Sequence, residues 1–393
     1  MLDLTNVIAG PTIGSTLARF GARVTSVQPV EPSVDPWNTV VFGMHAHRGK
    51  KSILLNLRSD RGRRVLDRLI AQADVITLNG TDQQRDALGL SPQQLNAINP
   101  RLILVQLDAF GGPRRRPKSD DLGYDDLAQA ATGVMLRFGG GMATPEEHAH
   151  FGTIDVLTGF SACVALGAAL ARLRTTGQGG VARASLAAAG NLIQAQFMVD
   201  YPGRPPFDEP SGRQALGWGP FYRCYQAADR WFFFAAPKER HAALARVTDL
   251  ADLAGSAEAD LTSALAQRFK SRPLSHWQDA LARGSTALVP LASLHETRDG
   301  ALEVESAGPP DISRATFRAI RHDRHPMGRW CDLIAPNAVR SQSSAITIPG
   351  PAPKYGQHTR AILAELGLRE DETDDMIENG IAAERWSDRY LPH

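Results

Sequence analysis

Asp155 is the residue whose type and position favour chemistry most directly. It immediately precedes residues 156–173, an apolar stretch that reads as a helix. At a helix N-terminus, unpaired backbone N–H groups and the helix dipole favour an ionised carboxylate. Such a carboxylate is suited to covalent, nucleophilic catalysis. The position also suits an aspartate that only caps the helix, and the residues alone leave both interpretations open.

Tyr124, within a Gly-Tyr-Asp sequence, is a second side chain that could contact a substrate. Its hydroxyl can hold a carboxylate, and a half-buried core tyrosine is the plain alternative. Two glycine groups follow, residues 139–141 and the pair Gly217 and Gly219 on either side of Trp218. Each group suits a mobile lid or an ordinary flexible turn.

Three cations, Arg48, Lys50 and Lys51, immediately precede an apolar strand. Cationic side chains of this kind can bind phosphate, and a solvated surface is the alternative. A second basic run at residues 114–116 is better interpreted as solvated surface.

His45 and His47 form an HxH pair, but no Cys, Asp or Glu stands at ligand spacing nearby. We therefore expect no metal site. The glycines near the first strand do not form a GxGxxG fingerprint, so we also expect no nicotinamide cofactor.

Composition narrows the class of protein. The 393 residues carry 43 Lys and Arg against 42 Asp and Glu, a formal net charge of +1, which disfavours a nucleic-acid or anionic-membrane protein. Cys163, Cys224 and Cys331 are far apart and indicate neither disulfides nor structural zinc.

The longest apolar run, residues 157–173, is short for a membrane span and predicts a buried core helix. Without a basic, apolar-cored leader, a soluble cytoplasmic protein is expected.

The elements that position these residues alternate in type along the first half of the chain. Short apolar segments predict strands at residues 2–4, 23–27, 52–57, 74–78 and 101–107. Between them, residues 60–71 predict a helix with one apolar face, and Ser91-Pro92 predicts a capped helix start. Alternation of this kind predicts an α/β fold with a parallel, Rossmann-like sheet.

The second half predicts a smaller α+β unit. Residues 202–220 resemble a linker, residues 221–226 and 230–235 a hairpin, and residues 241–250, 261–269 and 274–282 helices. Residues 308–353 read as an irregular return segment before a last helix at 358–366. We therefore predict a large domain from residues 1–200 and 330–393 and a small domain from residues 201–329.

Several sequence blocks, taken together and in order, resemble the class III CoA transferases, the CaiB/BaiF family that includes formyl-CoA transferase and carnitine CoA-transferase. The blocks span nearly the whole chain; they comprise residues 2–11, 47–53, 73–75, 99–103, 123–125, Asp155 with Thr158-Gly159, 174–179 and 355–359.

This resemblance implies a Rossmann-like large domain, a small middle domain and an interlocked dimer. It implies that Asp155 attacks an acyl-CoA thioester and carries acyl and CoA groups in turn. Tyr124 matches a substrate-pocket position, and Gly217 and Gly219 match a glycine-rich lid. Arg48, Lys50 and Lys51 match phosphate-binding positions, with Asn79 beside the adenine or pantetheine arm of coenzyme A.

The sequence departs from the family where coenzyme A would bind. Ser26 and Gln28 replace the usual lysine and glutamate of the second strand, and the loop at residues 78–83 lacks an aromatic ring and a cation. Met1 also falls where related chains are already inside their first strand, so a shortened start is expected. These losses are typical of a diverged subunit or of one half of a tandem fusion.

Three functions therefore compete. The first is a CoA transferase using Asp155, and the second is a catalytically weakened half that binds acyl-CoA or a partner subunit. The third is an acyl-CoA racemase on the same fold. Racemases of this fold usually carry a histidine at the position of Tyr124. A tyrosine, with a pKa of about 10, is a poor proton shuttle at neutral pH, so the third function is disfavoured.

Overall fold

The computed structural model describes residues 1–32, 42–112, 114–139, 152–204, 216–237, 244, 247–281, 286–297, 299, 317–322, 331–336 and 350–386. The chain divides into two compact units. The large unit comprises Met1–Val134, His150–Asp200 and Ala301–His393, and the small unit comprises Met135–Ala149 and Tyr201–Gly300. The domain boundaries derived from the sequence stay a prediction.

The strands of the described chain are β1 Leu2–Asp3, β2 Val24–Gln28, β3 Lys50–Leu55, β4 Val75–Asn79, β5 Ile103–Asp108, β6 Gly180–Ser185, β7 Gly217–Gly219, β8 Tyr222–Gln226, β9 Trp231–Ala235, β10 Ala287–Pro290, β11 Phe317–His322, β12 Cys331–Pro336 and β13 Ala382–Ala383. The helices are α1 Ala9–Arg19, α2 Asp60–Ala71, α3 Asp82–Ala87, α4 Pro92–Ile98, α5 Asp125–Thr132, α6 Thr153–Thr176, α7 Leu186–Gln194, α8 Glu258–Phe269, α9 Leu274–Leu281, α10 Thr359–Glu365 and α11 Glu370–Glu378.

The large unit is built on a seven-stranded sheet in the order β13-β3-β2-β1-β4-β5-β6. Neighbouring strands from β3 to β6 run parallel, and only β13 pairs antiparallel, with β3. Its central strands are almost continuously apolar because helices cover both faces. The predicted α/β fold with a parallel sheet is confirmed.

Two apolar clusters lie on opposite faces of this sheet. Alternate residues of β5 contribute to each: Leu104 packs with α2 and α10, whereas Val105 packs with α1 and α6. This alternation follows from the two-residue period of a strand. The helix predicted at residues 60–71 has those bounds, and its N-cap is Ser59, which accepts a hydrogen bond from the Gly62 N–H.

The long helix α6 has one buried and one exposed side. Its buried residues, including Ile154, Thr158 and Ala162, recur every three or four positions, whereas Val164 is 75% exposed. By length and composition alone this helix could cross a membrane. It packs against α1, β5, β6 and α7, so the prediction of a buried core helix holds for one face only.

The small unit contains the antiparallel sheet β10-β9-β8-β7. Strands β8 and β9 form the predicted hairpin, and the rings of Tyr225, Phe232, Phe234, Phe269 and Trp277 pack together between this sheet and helices α8 and α9. Half of the helix predicted at residues 241–250 lies outside the described residues, and its last three residues belong to a 3-10 helix, Thr248–Leu253.

The strand predictions were incomplete, because β6, β7 and β10 to β13 were not among them. The segment 308–353 was expected to be irregular, but its described residues include β11 and β12, which pair antiparallel. Strand β6 was not predicted because its sequence, Gly-Val-Ala-Arg-Ala-Ser, lacks the dense apolar pattern of the other strands. Six consecutive pairings with β5 nevertheless make β6 the edge of the sheet.

Candidate active site

A cavity of about 380 Å³ opens at the carboxyl ends of the parallel strands. Asn6 and Val7 follow β1, Asn79 ends β4, and Asp108 ends β5, and all four line the cavity. The strand order changes direction between β1 and β4, which is where open parallel sheets bind ligands. Asp155 and Tyr124 line the same cavity, so the fold brings both together.

Asp155 is the third residue of α6 and does not cap it. The N-cap is Gly152, which has a left-handed φ of 79° and no side chain to receive a hydrogen bond. The Asp155 side chain is nonetheless buried, with the residue 6% exposed. The interpretation of Asp155 as a simple helix cap is therefore wrong.

Asp125, in the first turn of α5, accepts one of the backbone hydrogen bonds that an N-cap side chain of α6 would otherwise accept. Its Oδ1 accepts a hydrogen bond of 2.8 Å from the backbone N–H of Asp155, and its Oδ2 accepts one from Gln129 Nε2. Asp125 is itself almost fully buried. Its role could not be predicted from the sequence, because no local pattern links residues 30 positions apart.

The ionisation of Asp155 differs from the sequence-based expectation. Burial, followed by the negative charges of Asp125 and Asp126, raises the pKa of the Asp155 carboxyl to about 7. The helix N-terminus was expected to keep this carboxyl fully ionised at neutral pH. Desolvation and two neighbouring carboxylates outweigh the helix dipole, which contributes only about 0.3–1 kcal/mol.

Tyr124 and Asn79 occupy the rim of the cavity. Tyr124 is 55% exposed, so its ring is not part of the core. The Asn79 side chain pairs with Asn6: its Nδ2 donates to Asn6 Oδ1 at 2.8 Å, and its Oδ1 accepts the Asn6 N–H at 3.2 Å. The next residue, Val7, has a φ of 63°, an unusual conformation for a β-branched residue. The loop after β1 is thus held in a strained form, and it lines the same cavity as Asp155.

The three predicted phosphate-binding cations lie in different environments. Lys50 is fully buried, and its Nζ contacts Asp3 Oδ2 at 2.7 Å and the Pro11 carbonyl at 2.9 Å. Arg48 is also buried, whereas Lys51 is exposed and pairs with Glu365 at 2.5 Å. These contacts give Lys50 a structural role, and none of the three cations lines the cavity. Their contact with phosphate stays a prediction.

Gly217 and Gly219 belong to β7 of the small unit. Gly217 has a φ of 149°, and β7 pairs with β8 through an irregular register. A Cβ at Gly217 would lie 2.3 Å from the Tyr222 carbonyl oxygen, so only glycine fits this position. Their role as a lid stays a prediction.

Within the described ranges, no group of three or more His, Cys, Asp and Glu side chains is arranged to hold a metal ion.

Comparisons with known proteins agree on one family. The family model described as CoA-transferase family III matches residues 1–359. The chain is 36% identical over 394 residues to the CoA-transferase/lyase DddD of Marinomonas sp. (strain MWYL1), covering 100% of this chain and 46% of that protein. It is 25% identical over 402 residues to the human succinyl-CoA:glutarate CoA-transferase, covering 95% of this chain and 86% of that one.

A solved structure supports the fold. The CAIB/BAIF family protein from Brucella suis superposes with a TM-score of 0.75 at 24% identity, covering 93% of this chain and 97% of that one. The chain spans about half the length of the Marinomonas relative.

Proposed function

Since this chain belongs to CoA-transferase family III, we propose that it moves coenzyme A from an acyl-CoA donor to a carboxylic acid through covalent intermediates on Asp155. One observation carries the proposal. A buried carboxyl, held at the first turn of α6, lines a cavity at the switch point of a parallel sheet. Its pKa of about 7 leaves a reactive fraction ionised at neutral pH while keeping the carboxylate basic.

In the first half of the reaction, an Asp155 carboxylate oxygen attacks the thioester carbonyl carbon. The C–S bond breaks, the CoA thiolate leaves, and an acyl-aspartyl anhydride remains. The thiolate then attacks the Asp155 carbonyl carbon and expels the donor carboxylate, which leaves CoA on Asp155 as a thioester. Covalent catalysis of this kind divides one difficult exchange into easier steps.

In the second half, the acceptor carboxylate attacks the aspartyl thioester and releases the thiolate. The thiolate attacks the acyl carbon of the new anhydride, which regenerates the Asp155 carboxylate and releases the acceptor as its CoA ester. No proton is consumed in the sequence. Water must be excluded, because it would hydrolyse either intermediate.

Tyr124 and Asn79 are the cavity residues that we assign to substrate binding. The exposed Tyr124 hydroxyl suits a hydrogen bond to the acyl or acceptor carboxylate. Asn79 must exchange its pairing with Asn6 for contacts to the CoA arm. Lys51 is the exposed member of the three cations predicted to bind the CoA phosphates. The segment that contains Gly217 and Gly219 is the proposed lid.

Trapping an intermediate tests this function. The protein would be incubated with acyl-CoAs and free acids, beginning with succinyl-CoA and glutarate because a relative is named for that pair. Acid quenching and peptide mass spectrometry should detect an acyl or CoA adduct on Asp155, and hydroxylamine should release it. Asp155→Asn should form no adduct and transfer no CoA.

Asp60→Asn is the matched control, because Asp60 is also a first-turn helix aspartate but does not line the cavity. It should keep both the adduct and the transfer activity. Substantial CoA transfer by a folded Asp155→Asn variant would overturn the proposal.

A second candidate is a half-enzyme that binds acyl-CoA but needs a second, active half. It is favoured by the Marinomonas relative, in which a region matching this chain makes up 46% of the length. An acyl-CoA that binds without forming an adduct on Asp155 would support this candidate. Racemase activity remains disfavoured by Tyr124 and is tested by loss of stereochemical purity in a chiral acyl-CoA.

We further propose a cytoplasmic homodimer. Exposed apolar side chains on the large unit, including Val156 and Val164 of α6 and Leu192 of α7, support an interface between chains. The interlocked arrangement is implied by the family resemblance and is tested by dilution of the protein.

A further inference from the structure

The first turn of α6 lacks a side-chain cap of its own. Gly152 at the N-cap cannot accept a hydrogen bond, and Ser, Thr, Asp and Asn are the residues that ordinarily do so. A helix leaves its first four N–H groups without intrahelical partners. The Asp155 N–H is one of these groups, and the Asp125 carboxylate accepts its hydrogen bond across 30 positions of sequence.

Asp125 is fixed by its own helix. Gln129, one turn along α5, donates a hydrogen bond to Asp125 Oδ2, which leaves Oδ1 aimed at the Asp155 N–H. Both Asp125 and Gln129 are buried. The carboxylate therefore has a defined orientation relative to the start of α6.

We propose that Asp125 is a positioning residue for the transfer reaction: it holds the first turn of α6 so that the Asp155 carboxyl faces the cavity, and its charge controls how readily that carboxyl ionises. This inference rests on the proposed function in one respect, that Asp155 is the nucleophile. The contact itself does not depend on that assignment.

The charges around Asp155 agree with this role. Asp125 and Asp126 face it from α5, and Asp108 and Asp121 line the same cavity, as does the phenol of Tyr124. After burial, Asp125 is the largest contributor to the raised pKa of Asp155, ahead of Asp126. A more basic carboxylate is the stronger nucleophile towards a thioester, so the neighbouring charge favours attack once Asp155 is ionised.

Asp125→Asn separates charge from hydrogen bonding, because an amide oxygen still accepts the Asp155 N–H. The Gln129 amide can turn over to accept from the new amide group. The pH dependence of carbodiimide and glycinamide labelling of Asp155, quantified by mass spectrometry, reports the protonated carboxyl without any assay of transfer. The labelling midpoint should lie near pH 7 in the parent and fall by about one pH unit or more in Asp125→Asn.

Two further variants complete the design. Asp126→Asn removes a charge from the same turn of α5 and should lower the midpoint less. Asp125→Leu removes the acceptor as well, so it should also lower the melting temperature, which Asp125→Asn should leave nearly unchanged. In an active enzyme, the acid limb of kcat/KM should move with the labelling midpoint in Asp125→Asn, while KM for the acyl-CoA stays within about twofold.

The outcomes separate this inference from the proposed function. An unchanged midpoint in folded Asp125→Asn overturns the charge control, and an unchanged melting temperature in Asp125→Leu overturns the positioning role, even if the parent transfers CoA. A lowered midpoint in a protein that transfers no CoA supports the charge control and counts against the function. If Asp125→Asn does not fold, hydrogen exchange of the parent labelled with ¹⁵N-aspartate decides the matter: the Asp155 amide should be protected, and exchange as fast as in a free helix terminus overturns the inference.

Discussion

Two adjacent lysines on β3 differ in burial and therefore in the role that their side chains can take. The side chains of Lys50 and Lys51 point to opposite sides of the strand, so one is enclosed and the other reaches solvent. Burial lowers the pKa of Lys50, while its contact with Asp3 opposes that effect. A buried ion pair is costly to break because the remaining charge has no partner.

Lys50→Met should destabilise the protein strongly, because Asp3 would be left as a buried, unpaired charge. We expect a loss of about 3–5 kcal/mol in the free energy of unfolding, measured in urea. Lys51→Met is the matched control: its exposed pair with Glu365 should contribute no more than about 1 kcal/mol. If Lys51 binds a CoA phosphate, Lys51→Met should in addition raise KM for the acyl-CoA.

Removing the Asp155 charge should stabilise the protein at alkaline pH. The folded-state pKa of about 7 exceeds the usual value of 3.8, so the folded protein retains a proton that the unfolded chain has lost between these pH values. Stability therefore falls as pH rises through this range, by up to about 4 kcal/mol. Asp155→Asn should be more stable than the parent at pH 8, and the difference should shrink towards pH 4.

Urea unfolding at pH 8, 6 and 4 measures this effect, with Asp60→Asn as the exposed control. A sequence-based comparison of caps predicts equal stability for aspartate and asparagine at position 155. A variant that is less stable than the parent at pH 8 would show that the Asp155 charge is stabilised in the fold.

At the scale of elements, the close approach of α6 to α1 positions Asp155, the proposed nucleophile. Gly159 lies one turn beyond Asp155, and a Cβ there would be 2.6 Å from the Ala9 carbonyl oxygen and 2.8 Å from Thr12 Cβ. The close contact requires glycine because the obstructing atoms include main chain. Asp155 and the start of α1 can therefore share one cavity.

Gly159→Ala should separate α6 from α1, with a loss of about 1–3 kcal/mol in stability and a larger fractional loss of activity. Gly167→Ala, on the exposed side of the same helix, is the control. Apart from its chain neighbours and the backbone of its own helix, no heavy atom of the described residues lies within 4 Å of a Cβ at Gly167. Alanine also favours a helix over glycine by about 1 kcal/mol. Equal effects of the two substitutions on the melting temperature would contradict this account of the packing.

At the scale of the whole molecule, the exposed apolar side of α6 favours an interface between subunits. Val164 is the most exposed large apolar residue described in this helix, and Leu192 of α7 is 60% exposed. Burying such side chains between subunits would contribute about 25 cal/mol for each Å² of apolar surface.

We expect a dimer that does not release folded monomer on dilution, because threaded subunits must unfold to separate. Native mass spectrometry over a range from micromolar to nanomolar protein should retain the dimer mass. Val164→Glu should weaken assembly if α6 lies in the interface, whereas Asp60→Asn should not. A stable, folded monomer at low concentration would exclude the interlocked arrangement.

The sequence by itself determined the family and several of the local elements. Strands β4 and β5, helix α2 and the capped start of α4 follow from short-range patterns of apolar residues, caps and proline, and these were predicted to within about two residues. The order of the blocks along the chain indicated CoA-transferase family III, and Asp155 and Tyr124 do share one cavity.

Only the tertiary structure decided the state of the site. Asp125 meets Asp155 across 30 positions and Lys50 meets Asp3 across 47, and no local pattern encodes such contacts. Burial then reverses what the residue types suggest. Asp155, at the start of a helix, has a pKa of about 7, and Lys50 forms a buried ion pair with Asp3. Desolvation depends on everything that surrounds a side chain, and the chain must fold before those surroundings exist.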